Sequence, residues 1–241
     1  MKSIRIYQPG KFEVGKSFHL DKTSSHHLIK VLRLKNNFTF NLFNGEGDEF
    51  IANLEISGKS AIAHIDTKLI SNSESSLHTH LIQGISKGDR MDFAIQKSIE
   101  LGVHTITPVI TARTVVNLKD HRTEKKQQHW QSVAISACEQ SGRSTLPTIN
   151  PICTLTDIFE QQSEDLKILL DPLSGNSFQS LTASKNIQIL IGPEGGLSES
   201  EIAEAVKHGF KGVRLGPRIL RTETAALAAI TSAQLLWGDL N

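Results

Sequence analysis

Two glycine-bearing segments hold the residue types best suited to chemistry. The first is Ile191-Gly192-Pro193-Glu194-Gly195-Gly196-Leu197. Paired glycines let a ligand approach the backbone closely, and a helix start just beyond them offers unpaired N–H groups. The second is Leu215-Gly216-Pro217-Arg218-Ile219-Leu220-Arg221-Thr222-Glu223-Thr224-Ala225. Its Gly-Pro turn leads through two arginines into another helix start, where Thr222 suits an N-cap and Glu223 suits the positive end of the helix dipole. Arg218 and Arg221 could meet a phosphate or the face of a base, or could pair with surface carboxylates. A tight strand-to-helix turn without a ligand would also account for the first segment. One ligand crevice accounts for both together. The first segment matches neither GxGxxG nor GxxxxGK[ST], so dinucleotide and P-loop readings lack their spacing.

The elements that must position these segments can be read from periodicity. Ile187 to Ile191 is a short apolar run of the kind found in buried parallel strands, as is Lys167 to Leu170. Ser198-Glu199-Ser200-Glu201 is a capping box that opens a helix running to His208, with Gly209 as its stop. Val213 to Leu215 reads as a last short strand, and Thr224 to Trp237 as a final helix, apolar nearly all round and therefore buried in a core or a subunit interface. Upstream, Leu77 to Ile85 reads as a strand and Asp89 caps a helix to Leu101. Thr105 to Ile110 reads as a further strand, and Thr123 opens a helix ended by Gly142. This alternation predicts an α/β domain with a parallel sheet.

The first 70 residues have a different texture. Phe38 to Phe43 and Phe50 to Ile56 flank Asn44-Gly45-Glu46-Gly47, a hairpin pattern, and Ser60 to Asp66 adds another strand. A short helix is expected over Ser25 to Leu34. Several short strands in so few residues suggest a small barrel. The polar Ile70 to Ser76 stretch reads as a linker between two domains, residues 1–71 and 77–241.

Composition narrows the function classes. Lys+Arg number 26 against 25 Asp+Glu in 241 residues, so neither a basic nucleic-acid coat nor an acidic tail is present, although a local basic patch is allowed. Aromatics at 5% argue against an extended base-stacking platform. No apolar run is long enough to span a membrane, and the start has no apolar core of a secretory signal. Cys138 and Cys153 are widely spaced, which excludes a disulfide scaffold and a cysteine-rich zinc site. A reduced, cytoplasmic protein is expected. The pairs His78/His80 and His26/His27 lack a third ligand and read as satisfied surface or core residues rather than a metal site. Arg5, Lys30, Arg33 and Lys35 form a local basic set in the first domain, either a phosphate-binding face or a solvated one.

The two glycine-bearing segments resemble the signature segments of the small-subunit ribosomal RNA methyltransferase E family, the 16S rRNA uridine-N3 branch of the SPOUT superfamily. Gln96 to Val103, Ala137 to Arg143, Arg5-Ile6-Tyr7 and Val31-Leu32-Arg33 also match that family, so the likeness runs in order along essentially the whole chain. It implies a PUA-like β-barrel followed by an α/β domain with a C-terminal trefoil knot, acting as a homodimer. It implies S-adenosylmethionine as methyl donor, no metal, and 16S rRNA of the 30S subunit, near the decoding region, as substrate. The donor would lie among three loops, with binding assigned to Leu170, Gly192, Glu194, Gly195, Gly196, Leu215, Gly216, Ile219, Leu220 and Thr222. Arg221 is expected to stabilise the uracil anion that attacks, and Glu223 to act as base or organiser. Arg143 joins Arg5, Lys30, Arg33 and Lys35 as RNA-binding candidates, and Glu139 and Arg143 would act across the dimer interface. Two other readings stay open: a non-catalytic RNA-binding or assembly protein, and a SPOUT enzyme acting on transfer RNA or on 2′-hydroxyls.

Overall fold

The computed structural model describes residues 3–115 and 120–240. The chain divides into two compact units, Met1–Glu74 with Cys138–Leu146, and Ser75–Ala137 with Pro147–Asn241.

The first unit carries β1 (Arg5–Tyr7), β2 (Ser17–His19), α1 (Lys22–His26), β3 (Thr39–Phe43), β4 (Glu49–Ser57) and β5 (Ser60–Leu69). Its sheet runs β1-β3-β4-β5-β2, antiparallel except where β1 pairs with β3. The expected hairpin is β3–β4. Gly45 and Gly47 take φ of 81° and 101°, and the Asn44 carboxamide oxygen accepts from the N–H groups of Glu46 and Asp48. Alternation along β3 and β4 buries Phe40, Leu42 and Leu54 against Leu28 and Ala63. The helix expected over Ser25–Leu34 starts earlier and is split. Asp21 caps α1 by accepting from Ser24 N–H, and a π-helical turn follows over His27–Val31. That turn ends with Arg33 at φ 53°, and the Leu34 N–H reaches back to the Leu28 carbonyl, a left-handed helix stop usually occupied by glycine.

In the second unit β6 (His78–Gly84), α2 (Asp89–Glu100), β7 (Thr105–Ile110) and α3 (Asp120–Ser141) come first. The last turn of α3 falls in the first unit. Next are β8 (Thr148–Ile149), β9 (Cys153–Thr154), α4 (Leu155–Phe159), β10 (Leu166–Leu170), β11 (Asn186–Ile191), α5 (Glu199–Lys207), β12 (Lys211–Val213) and α6 (Thr222–Trp237). All strand pairs here are parallel, in the order β12-β10-β11-β6-β7-β8, with β9 pairing the far end of β7. The α/β class with a parallel sheet is therefore as the alternation predicts. Ile82, Val109, Leu169 and Leu190 form the middle of one core cluster. Each such side chain contributes roughly 1.5–3 kcal/mol on burial.

Most local expectations hold, although α3 begins at Asp120 and α6 at Thr222, ahead of the expected Thr123 and Thr224. The Ser198–Glu201 capping box is present in both directions, and Gly209 follows α5 at φ 88°. Asp89 is not a cap: Gly88, at φ 62°, holds that position and Asp89 lies in the first turn. The last strand is Lys211–Val213 rather than Val213–Leu215, because the chain leaves the sheet where Arg214 N–H donates to the Asn176 carbonyl. Thr222 is not the cap of α6 either. Arg221 occupies that position without a side-chain bond, and the Thr222 hydroxyl is spent elsewhere. Among the described residues, no helix is long and apolar enough to cross a membrane.

Candidate functional site

A cavity of about 660 Å³ opens at the carboxyl ends of β10, β11 and β12. This is where open parallel sheets bind ligands, and the volume falls in the range of small-molecule sites. Three loops meet there: one after Leu170, one from Gly192 to Gly196, and one from Leu215 to Glu223. Of the sequence-predicted donor residues, Leu170, Gly192, Glu194, Gly195, Gly196, Leu215, Ile219, Leu220 and Thr222 all line it, as do Arg221 and Glu223. Gly216, at φ 70°, shapes the third loop without appearing in the lining.

The middle loop is a close turn that tolerates no side chain at its first glycine. A Cβ on Gly192 would lie 2.9 Å from backbone atoms of Gly196 and Leu197. Gly196 N–H donates to the Pro193 carbonyl at 2.8 Å and closes the turn, with Gly196 at φ 68°. Three clamps then hold it from outside. The Thr222 hydroxyl donates to the Gly192 carbonyl at 2.7 Å. The Glu194 carboxylate accepts from Lys87 N–H at 2.9 Å and Arg90 Nη1 at 3.2 Å. Arg113 Nη1 donates to the Gly195 carbonyl at 2.7 Å. Burial pushes the Glu194 carboxyl up, but the bonds from Lys87, its own N–H and Arg90 together outweigh this and hold it below the ordinary range. Glu194 thus orients the turn, as its place between the glycines suggests.

The first loop is equally stitched. Asp171 N–H donates to the Val213 carbonyl, its carboxylate accepts from Leu173 N–H, and Ser174 Oγ donates to the Gly212 carbonyl at 2.7 Å. Around the mouth stand Arg214, Arg218 and Arg221. Among the described residues none of these three side chains makes a hydrogen bond or an ion pair. Inside, Glu223 Oε2 is buried with no partner. A buried carboxylate oxygen without a donor is costly. The cavity therefore presents glycine backbone, apolar walls and a cationic rim.

The basic residues of the first unit divide. Lys30, Arg33 and Lys35 are exposed at the end of the π-helical turn. Arg5 and Arg143, also expected to bind RNA, are instead buried. Arg5 makes a two-pronged pair with Glu49 at 2.9 Å and donates to the carbonyls of Cys138 and Arg143. Arg143 makes its own two-pronged pair with Glu74. Neither guanidinium is left facing solvent for a phosphate. Glu139 accepts from Tyr7 N–H at 3.1 Å, and burial raises its carboxyl above the ordinary range. Both Glu139 and Arg143 thus have structural partners within the first unit. His80 is half-buried: burial pushes its pKa down to about 4 against the opposing charge of Asp165, and its Nε2 lies 2.7 Å from Thr107 Oγ1. His78 lies against His104 with ring centroids 4.6 Å apart.

Sequence reasoning missed Arg90 in the first turn of α2, Arg113 after β7 and Arg214 after β12, all of which line the cavity. It also missed Gln83, which donates to the Thr222 hydroxyl.

Comparison with known proteins supplies an identity for this arrangement. A family profile described as "RNA methyltransferase domain" matches residues 73–234, and one described as "RNA methyltransferase PUA domain" matches residues 20–66. The chain is 40% identical over 241 residues to the ribosomal RNA small subunit methyltransferase E of Buchnera aphidicola from Acyrthosiphon pisum, covering 99% of this chain and 95% of that one. It is 29% identical to the Bacillus subtilis protein of the same name, covering 95% of each. Among solved structures, a methyltransferase from Legionella pneumophila in complex with the bound cofactor SAM superposes with a TM-score of 0.97 at 40% identity over 100% of both chains. The Neisseria gonorrhoeae ribosomal RNA small subunit methyltransferase E bound to S-adenosyl methionine gives 0.93 at 41%, again over 100% of both.

Proposed function

Because this chain belongs to the small-subunit ribosomal RNA methyltransferase E family, we propose that it methylates 16S rRNA at the N3 atom of a uridine near the decoding region of the 30S subunit, with S-adenosylmethionine as donor. The observation that carries this reading is the convergence of three separate loops on one cavity, in a chain superposable end to end on relatives that hold that donor.

The residues fit the donor. Gly192 to Gly196 bring backbone close to an adenosine-sized ligand, while Leu170, Leu215 and Leu220 provide apolar walls. Glu194 and Thr222 keep the turn in shape. When bound, S-adenosylmethionine supplies an electrophilic methyl group on a good leaving group. The chain's task is then to align the uracil ring, exclude water and manage one proton. Uracil N3 carries a proton that must leave for the lone pair to attack. Arg221, unpaired at the rim, stabilises the resulting uracil anion, and Glu223 takes the proton or orders the group that does. Lys30, Arg33 and Lys35 contact RNA phosphates and supply affinity without sequence information.

The barrel form of the first unit, the trefoil knot, the homodimer and a cytoplasmic setting are parts of the same proposal. The entry of β11 between β10 and β6, with the loop after Leu170 bonded across to β12, is compatible with a knot. Leu235 and Leu236 on α6, about half exposed in the single chain, are compatible with burial against a second copy.

Mapping N3-methyluridine in 16S rRNA from cells lacking the gene tests the reaction. Loss of one such site is the expected result, and an unchanged pattern contradicts it. A dead assembly protein would leave rRNA methylation intact, whereas an enzyme of another specificity would remove a methyl group from transfer RNA or a 2′-hydroxyl.

A further inference from the structure

We propose that Gln83, a fully buried residue of β6 outside the cavity lining, is a positioning residue that sets the glycine turn through the Thr222 hydroxyl. The inference rests on reading that cavity as the donor site. A hydroxyl has one proton, and Thr222 spends it on the Gly192 carbonyl at 2.7 Å. Toward Gln83 its oxygen can only accept, so the carboxamide must present Nε2, which lies 2.9 Å away. The same Nε2 donates to the Gly84 carbonyl at 3.0 Å. Two acceptors thus dictate the orientation of the amide.

That orientation leaves Gln83 Oε1 buried without a partner. An orphaned buried acceptor is a stability penalty, and a methionine of similar volume would avoid it. The Gly84 carbonyl would still have Ser86 Oγ at 3.4 Å. Stability alone therefore does not explain an amide here. What the amide does is hold the Thr222 rotor so that its proton points at Gly192. The neighbouring backbone makes the position sensitive: a Cβ on Gly84 would come within 2.5 Å of Pro193 N, so the end of β6 abuts the Gly192–Pro193 peptide directly. Arg113 and Glu194 clamp the later part of the turn, and Gln83 with Thr222 fixes where it begins.

The test is donor binding by calorimetry with S-adenosylmethionine and S-adenosylhomocysteine, donor KM and kcat on 16S rRNA, and Tm, for Gln83→Met, Thr222→Val, their combination, and Thr222→Ser. Gln83→Met is expected to weaken donor binding and raise donor KM about tenfold, with kcat changed less than threefold and Tm held or raised. Thr222→Val weakens binding similarly, and the double variant is no worse than either single one, because both break one relay. Thr222→Ser, which keeps the hydroxyl, restores most of the affinity that valine loses. Unaltered affinity in Gln83→Met overturns the inference alone, as does a loss that tracks a falling Tm or adds to that of Thr222→Val. No heat with the unaltered protein overturns the reading of the cavity and this inference together.

Discussion

In the first unit Arg5 and Arg143 are buried, each gripping a carboxylate with two prongs, and Arg5 donates further to the carbonyls of Cys138 and Arg143. In the second unit Arg214, Arg218 and Arg221 stand at the mouth of a cavity with no bonded partner among the described residues. The residue type is the same and the physical situation is opposite. A guanidinium carries five donors and a charge that is never shed, so a fold either satisfies it internally or leaves it for something that arrives. Where carboxylate, carbonyls and burial converge, arginine is a structural rivet. Where apolar walls and glycine backbone converge and no carboxylate pairs with the arginine, it is equipment for an anionic ligand or transition state.

The sharpest way to break this contrast is to remove the partner of a rivet. Glu49→Ala leaves Arg5 charged and buried, and should cost about 3–5 kcal/mol in urea unfolding of the whole chain. A cost under about 1 kcal/mol would place Arg5 among surface pairs. Titration offers a second view of the same rivet. Burial pushes the Glu49 carboxyl up, but the bonds from Arg5, Ser144 and Asn41 outweigh it and bring it below its ordinary value of 4.5. Its contribution to stability is therefore present above about pH 4.5 and is lost as pH falls through the lowered folded value. Glu49→Gln should flatten that part of the pH–stability curve.

Arg221→Ala is the matching test in the second unit. It should lower kcat about 10²- to 10³-fold while donor affinity stays within about threefold and Tm is unchanged. Equal losses in turnover and donor affinity would make Arg221 a binding residue instead. Gly192→Ala forces a Cβ onto the backbone of Gly196 and Leu197, and should weaken donor binding about tenfold or more with little effect on the first unit. The smallest effects belong to Lys30, Arg33 and Lys35. Each change to Ala should weaken RNA binding a few-fold and reduce the salt slope by about one.

Much of this arrangement is legible along the chain. The β3–β4 hairpin announces itself through Asn44-Gly45, the α5 start through Ser198 and Glu201, and the parallel strands through short apolar runs, because each rests on residues within about ten positions of one another. The cavity is legible too, since glycine turns after buried strands carry their own signature. The role of Arg5 is not. Its partners Glu49, Cys138, Arg143 and Ser144 lie 44 to 139 positions away, and nothing local separates a riveted arginine from a free one. Thr222 is the subtler case. Its type and place suit a cap, yet the helix begins one residue earlier, and the hydroxyl turns to Gly192 and Gln83, which lie 30 and 139 positions off. Gln83 sits unmarked near the end of β6, and only the geometry around its amide reveals it.

Calorimetry of the purified full chain with S-adenosylmethionine tests most directly whether the three-loop cavity is a donor site. One donor molecule bound per chain, with affinity lost in Gly192→Ala and kept in Arg221→Ala, is the predicted outcome. Well-folded protein that gives no heat with either S-adenosylmethionine or S-adenosylhomocysteine would contradict it.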